Sequence, residues 1–141
     1  MIIPMDPQHF RLVRPQPRQQ DADVSMKQAL VLLEGGPAMA CLNAQGFTIA
    51  CAGLFELWHG RGLAWAILGG TIGRHMVEIV RAMRKNIDAS SFHRVEMCLA
   101  PDNNPADIRL ARLLGFHREC TAQKMLPDGR DADVWIWIRH S

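Results

Sequence analysis

Gly69, Gly70 and Gly73 enclose Thr71 and Ile72 and run directly into Arg74 at the head of an amphipathic stretch. A turn with three residues lacking Cβ, leading into a helix, presents backbone N–H groups at the positive end of the helix dipole. That arrangement suits a pyrophosphate. Arg74 would add a charge-assisted contact. The same stretch also reads as a glycine-rich strand-to-helix turn that holds nothing. Two other side chains carry proton-transfer chemistry. Glu56 ends a long apolar strand, where partial burial would raise a carboxyl pKa into the range of a general base; solvated, it is only a strand-end charge. His117 follows Gly115-Phe116, and it reads either as a base facing a cleft or as an exposed histidine at a strand start.

The remaining reactive side chains exclude more than they offer. Cysteines at 41, 51, 98 and 120 form no CxxC pair and have no histidines at finger spacing, so a zinc site is not expected. Cys41, Cys51 and Cys98 lie in apolar strand-like runs and read as buried free thiols. The six histidines are scattered, and the chain has no tyrosine.

These groups must be positioned by 141 residues, a length that suits one domain with one core. Sixteen basic and fourteen acidic residues leave +2, without the concentrated basic stripe of a nucleic-acid or anionic-membrane binder. No apolar run reaches the roughly 20 residues that span a bilayer. The first residues lack the basic start and apolar core of a secretory leader, so the expected location is the cytoplasm.

Residues 1–9 read as a flexible lead-in, and Phe10 to Val13 as a short strand closed by Pro15 and Pro17. Ser25 with Gln28 predicts a helix start, the apolar stripe Met26, Ala29, Leu30, Leu33 follows at helical spacing, and Gly35-Gly36 supplies the stop. Ala38 to Leu42, Phe47 to Leu57 and Leu63 to Leu68 read as a three-stranded meander, with turns at 43–46 and 59–62. After the glycine loop, Met76, Ile79, Val80, Met83 and Ile87 mark a strongly amphipathic helix. A strand from Arg94 to Ala100 follows. Asn104-Pro105 with Asp107 opens the last helix, which stops at Gly115. Glu119 to Leu126 and Ala132 to Arg139 form a closing hairpin around Pro127-Asp128-Gly129. The strand before the glycine loop and the strand after the helix make a βαβ unit, and so a parallel pair.

Asn104, Leu110 and Leu114-Gly115-Phe116-xx-Glu119, together with this element order, resemble the GNAT family of N-acetyltransferases over nearly the whole chain. The stretch Asn104, Ile108, Arg109, Gly115 is also similar to small GNAT-like proteins of tailed bacteriophages, including podovirus internal virion proteins. The resemblance implies a single-domain α/β (α+β) acyl-CoA N-acyltransferase fold, with a mixed, mostly antiparallel sheet of about seven strands and helices on both faces. It implies acetyl-CoA as cofactor, with the pyrophosphate on Gly69 to Arg74 and the acyl thioester beside Ile67, Leu68 and Cys98. Asn104 would lie on the pantetheine or sulfur side. An amine acceptor, small molecule or protein, would attack the thioester directly, with Ile67-Leu68 backbone N–H groups polarising its carbonyl. The family's acidic tyrosine falls at Ala111, and the glycine loop is shorter than the family's. A cleft that has lost catalysis and serves binding, in a virion or on a host protein, is the alternative these departures imply. The apolar last strand and its tryptophans would suit a homodimer.

Overall fold

The computed structural model describes residues 1–19, 22–102 and 104–140, apart from the side chain of Arg18. Among them, strands β1 (Ile2–Pro4), β2 (Ala38–Leu42), β3 (Thr48–Trp58), β4 (Arg61–Leu68), β5 (Arg94–Leu99), β6 (His117–Ala122) and β7 (Ala132–Ile138) form one mixed sheet in the order β1-β2-β3-β4-β5-β7-β6. β4 and β5 run parallel, because the helix between them carries the chain back across the sheet; the other neighbours are antiparallel.

Among the described residues, four α-helices cover the sheet: α1 (Pro7–Leu12), α2 (Met26–Gly35), α3 (Met76–Ala89) and α4 (Pro105–Leu113). Phe10 and Val13, with Ala29 and Leu32, pack with Ala40 and Cys51 on one face. On the other, Ile79, Val80, Met83 and Ile87 of α3 join Ala111 of α4 over Ala52, Ala64, Leu68, Val95 and Trp135. Small residues on β3 and β4 let both layers approach closely, as strands apolar on both faces require.

The N-terminus differs from the sequence reading. Ile2–Pro4 is an edge strand paired to Met39–Cys41, not a loose lead-in, and Phe10 belongs to a helix, not a strand. Asp6 is the reason. Its side chain accepts from the Gln8 N–H (2.9 Å), its own N–H donates to His9 Nδ1 (2.8 Å), and Pro7 takes the first helical position. α2 starts as expected, with Ser25 Oγ accepting from Gln28 N–H at 3.2 Å. β6 ends at Ala122, four residues short of the expected Leu126, and bulges between Arg118 and Cys120. Trp135 lies in the core and Trp137 packs partly buried against it.

Candidate active site

Parallel pairing between β4 and β5 covers Arg61↔Arg94, Gly62↔Val95 and Leu63↔Glu96, and goes no further. Beyond Leu63 the two strands part into a fork. A cleft of about 410 Å³ fills it, with Leu63, Trp65, Cys98, Asp107, Leu110 and Arg130 among its walls. Backbone alternation decides what β4 offers this cleft. The Gly69 N–H donates to Ile49 O (2.8 Å), so the odd-numbered residues Trp65, Ile67 and Gly69 spend their backbone groups on β3. Ala64, Ala66 and Leu68 turn theirs toward the fork.

The Ile67 N–H, expected beside a thioester carbonyl, therefore points into the β3 ladder, while the Leu68 N–H points into the fork. It already has a partner: Leu68 N–H donates to Gln19 Oε1 (2.8 Å), and Gln19 Nε2 donates to Ala66 O (2.9 Å). The Gln16 N–H adds a bond to Leu68 O (2.8 Å), so residues 15–19 lie along the open edge of β4. Trp65 forms a wall. Its ring crosses β3 above Gly53, where any Cβ would come within 2.9 Å of it, and meets the Phe10 ring edge-on at 5.9 Å. The Trp65 indole N–H is buried without a hydrogen-bond partner.

The glycine loop follows β4 directly. Gly69 and His75 spend their N–H groups on Ile49 O and Ile72 O, so the span Gly70 to Arg74 holds what the loop can offer an anion. Gly73 has φ +43, in the left-handed region that favours glycine, and a Cβ on Gly70 or Gly73 would meet nothing within 4 Å. Gly70, Thr71, Gly73 and Arg74 are exposed, while Ile72 is half-buried and anchors the loop on the core. These features fit a pyrophosphate. Behind the loop, Glu78 contacts His75 Nδ1 at 3.0 Å, and that histidine holds its carboxyl below the usual range.

Asn104 begins α4, and its Oδ1 accepts from the N–H groups of Ala106 (3.0 Å) and Asp107 (3.3 Å). The cap occupies that oxygen; Asp107 and Leu110, one and two turns on, are the α4 residues in the cleft wall. Ala111 is fully buried in the core under α4.

The two candidate bases stand apart. Glu56 is exposed and paired to Gly62, where β4 and β5 are still joined. Gly62 and Ala66 stand four positions apart on β4, roughly 13 Å. His117 is exposed and opposes Ile136, which opposes Glu96, so its side chain shares the sheet face of Trp65 and Cys98.

At the base of the fork the structure places a charge cluster that the sequence reading missed. Arg61 makes a two-point contact with Glu96, with Nη2 at 2.8 Å from Oε1, and stacks 4.1 Å above the Trp58 ring. Arg94 reaches Glu96 at 3.3 Å and grips both oxygens of Glu119, at 2.8 and 2.6 Å. Glu96 is 8% exposed, yet the Arg61 guanidinium, aided by Arg94, outweighs burial and holds its carboxyl below the usual range. The available signal was Arg94 and Glu96 two apart on one strand, hence on one face. Cys98, expected to be buried, is exposed at the cleft, although partial burial still raises its thiol pKa. Cys41 and Cys51 are buried as expected, and burial pushes Cys51 up to about 12. Among the described residues no three His, Cys, Asp or Glu side chains converge as a metal site, and no helix is long and apolar enough to cross a membrane.

No protein-family model matches the sequence, and no curated protein matches it. Solved structures do. A chimera of the spermidine N-acetyltransferase SpeG from Vibrio cholerae and hSSAT is similar at TM-score 0.71 and 16% identity, over 98% of this chain and 94% of that one. The spermidine/spermine N-acetyltransferase SpeG from Vibrio cholerae is similar at TM-score 0.68 and 16% identity, over 98% and 91%. A structure described as a candidate phosphinothricin N-acetyltransferase is similar at TM-score 0.76 and 11% identity, over 100% and 99%. At these identities the likeness establishes the fold, which is the GNAT acyl-CoA N-acyltransferase fold.

Proposed function

We propose that the chain is an N-acetyltransferase that joins the acetyl group of acetyl-CoA to an amine at the fork between β4 and β5. The observation that carries this reading is the fork itself: a cleft of about 410 Å³ opening where the parallel pair parts, next to a glycine loop with open space around Gly70 and Gly73. When bound, acetyl-CoA supplies an activated acyl group to a nucleophile.

This chain's residues then have distinct tasks. Amides from Gly70 to Arg74, with the Arg74 charge, hold the pyrophosphate at the loop. Ile67 and Leu68 line the path of the acyl-donor arm; the Leu68 N–H, and not that of Ile67, is the donor that faces a carbonyl of that arm. Asn104 keeps the end of α4 in place beside the same arm. Cys98, an exposed thiol in the cleft wall, hands a proton to the leaving thiolate in place of the missing tyrosine. His117 shares the open face with Cys98 and takes the amine's proton through water; Glu56, beyond the closed end, is left a surface role. The acceptor is an amine on a small molecule or a protein, and the expected setting is the cytoplasm.

A second reading is a GNAT-fold binding protein without transferase activity, such as a phage virion or host-interaction component. Ala111, fully buried where the family places its tyrosine, favours it. A thermal-shift titration with acetyl-CoA, with adenosine 3',5'-bisphosphate alongside, separates the two. Ligand at about 100 times Kd adds roughly 2.7 kcal/mol to the folded state and raises Tm saturably. A flat response at millimolar acetyl-CoA leaves the binding protein as the reading.

A further inference from the structure

We propose that residues 15–19 form a gate on the fork, in which the Gln19 carboxamide holds the place of a ligand amide on β4 and must leave before the acyl donor can bind. The inference rests on the transferase reading and adds a regulatory step to its site.

Had β5 continued beside β4, its peptide groups would have met Ala66 O, Leu68 N–H and Leu68 O. A strand edge left bare exposes such groups in a row, and they need partners. Here one side chain and one backbone amide supply them. Gln19 Oε1 accepts from Leu68 N–H at 2.8 Å while its Nε2 donates to Ala66 O at 2.9 Å, and Gln16 N–H donates to Leu68 O at 2.8 Å. A carboxamide carries a donor and an acceptor side by side, as a peptide group does, so Gln19 reproduces what a neighbouring strand would present. Both glutamines also line the cleft, and the β4 groups they hold lie more than 45 residues away in sequence. The amide-bearing arm of acetyl-CoA, extended along β4, presents the same donor-acceptor pair. The two cannot occupy Ala66 O and Leu68 N–H together. Ligand binding therefore carries the cost of lifting Gln19 away, and a chain without that side chain binds more tightly.

Calorimetric titration of acetyl-CoA into wild type, Gln19→Ala and Gln19→Met, with hydrogen exchange at the Leu68 amide of each free protein, tests this. Methionine keeps the length, cannot donate to Ala66 O and is only a weak acceptor for the Leu68 N–H. The expected result is faster Leu68 exchange in Gln19→Ala and acetyl-CoA binding about tenfold tighter in both variants, equal to about 1.4 kcal/mol. Binding by the variants alone, with none by wild type, supports the gate in its strongest form. Equal or weaker binding by folded variants, with wild type binding normally, overturns the gate and leaves the transferase standing. Absence of binding in all three proteins removes both. Should Gln19→Ala not fold, Gln19→Met carries the same comparison.

Discussion

Arg61 on β4 and Glu96 on β5 clasp each other diagonally across the last paired residues before the two strands separate. The contact sits at the crotch of the fork, so it holds together the strands whose divergence makes the cleft. Arg94 and Glu119 extend it sideways over β7, and the Trp58 ring lies against the outer face of Arg61.

The pair makes stability depend on pH in one direction. Glu96 titrates lower in the folded chain than its ordinary value of 4.5, chiefly because of Arg61. Its contribution is therefore complete above the unfolded carboxyl's pKa and is lost as pH falls through the lower folded value. Glu96→Gln should cost about 2 kcal/mol at neutral pH. The gap in Tm between wild type and variant should hold steady from about pH 8 to pH 5 and close as the solution becomes more acidic. A gap that widens toward acid would contradict the assignment.

Arg139 ties the end of the last strand to the end of α3. Its guanidinium donates to Ile87 O (3.1 Å) in the last turn of α3, and to Ser90 O (2.9 Å) and Phe92 O (2.9 Å) in the segment that follows. Arg139→Lys keeps the charge but not the fork of donors, so it should still lose about 1 to 2 kcal/mol, and Arg139→Ala more. Urea melts of both variants measure this; a lysine variant as stable as wild type would show that charge alone is at work.

The four thiols should divide into two classes. Cys98 and Cys120 are exposed and should react with a thiol reagent in the folded protein, whereas Cys41 and Cys51 should react only on unfolding. In acetyl transfer, Cys98→Ala should lower kcat by about 100-fold while the Kd for acetyl-CoA stays near wild type. Stopped counts of labelled thiols and steady-state kinetics check the two halves, and a loss of binding in place of rate would reassign Cys98 to the wall of the cleft.

Placing a tyrosine at position 111, where the resemblance to GNAT enzymes puts one, should not help. Ala111 is fully buried in the core, and a phenol ring there has to push neighbours aside. Ala111→Tyr should lower stability by about 1 to 3 kcal/mol and leave kcat no higher than before. A gain in rate would mean that α4 can turn to bring this position to the cleft.

Periodicity made much of this architecture readable. The apolar stripe of α3 and the alternation of β7 mark buried faces, and Asn104-Pro105 announces α4 because a cap and a fixed φ act locally. Asp6-Pro7 carries the same signal at α1, but the weak alternation from Phe10 to Val13 obscured it. Cys98 shows a second limit. Its run is apolar, yet the α1–α2 layer packs over residues of β1 to β4, and on β5 that face carries Arg94 and Glu96. The glycine loop was legible because its residues are adjacent, whereas Gln19 meets Ala66 and Leu68 only in the folded chain. Where a parallel pair stops pairing is likewise a property of the whole sheet, invisible to any local window.

The wall that Trp65 gives the cleft has an optical consequence. The chain has no tyrosine, so its near-ultraviolet emission belongs to four indoles, and Trp65 is the one in the cleft wall. Trp58 is 60% exposed on a hairpin tip and emits against water, a background that Trp58→Phe would remove. Of the three indoles that remain, Trp65 has an unpartnered N–H at the fork and is able to report occupancy by colour and intensity without a dye attached to the protein.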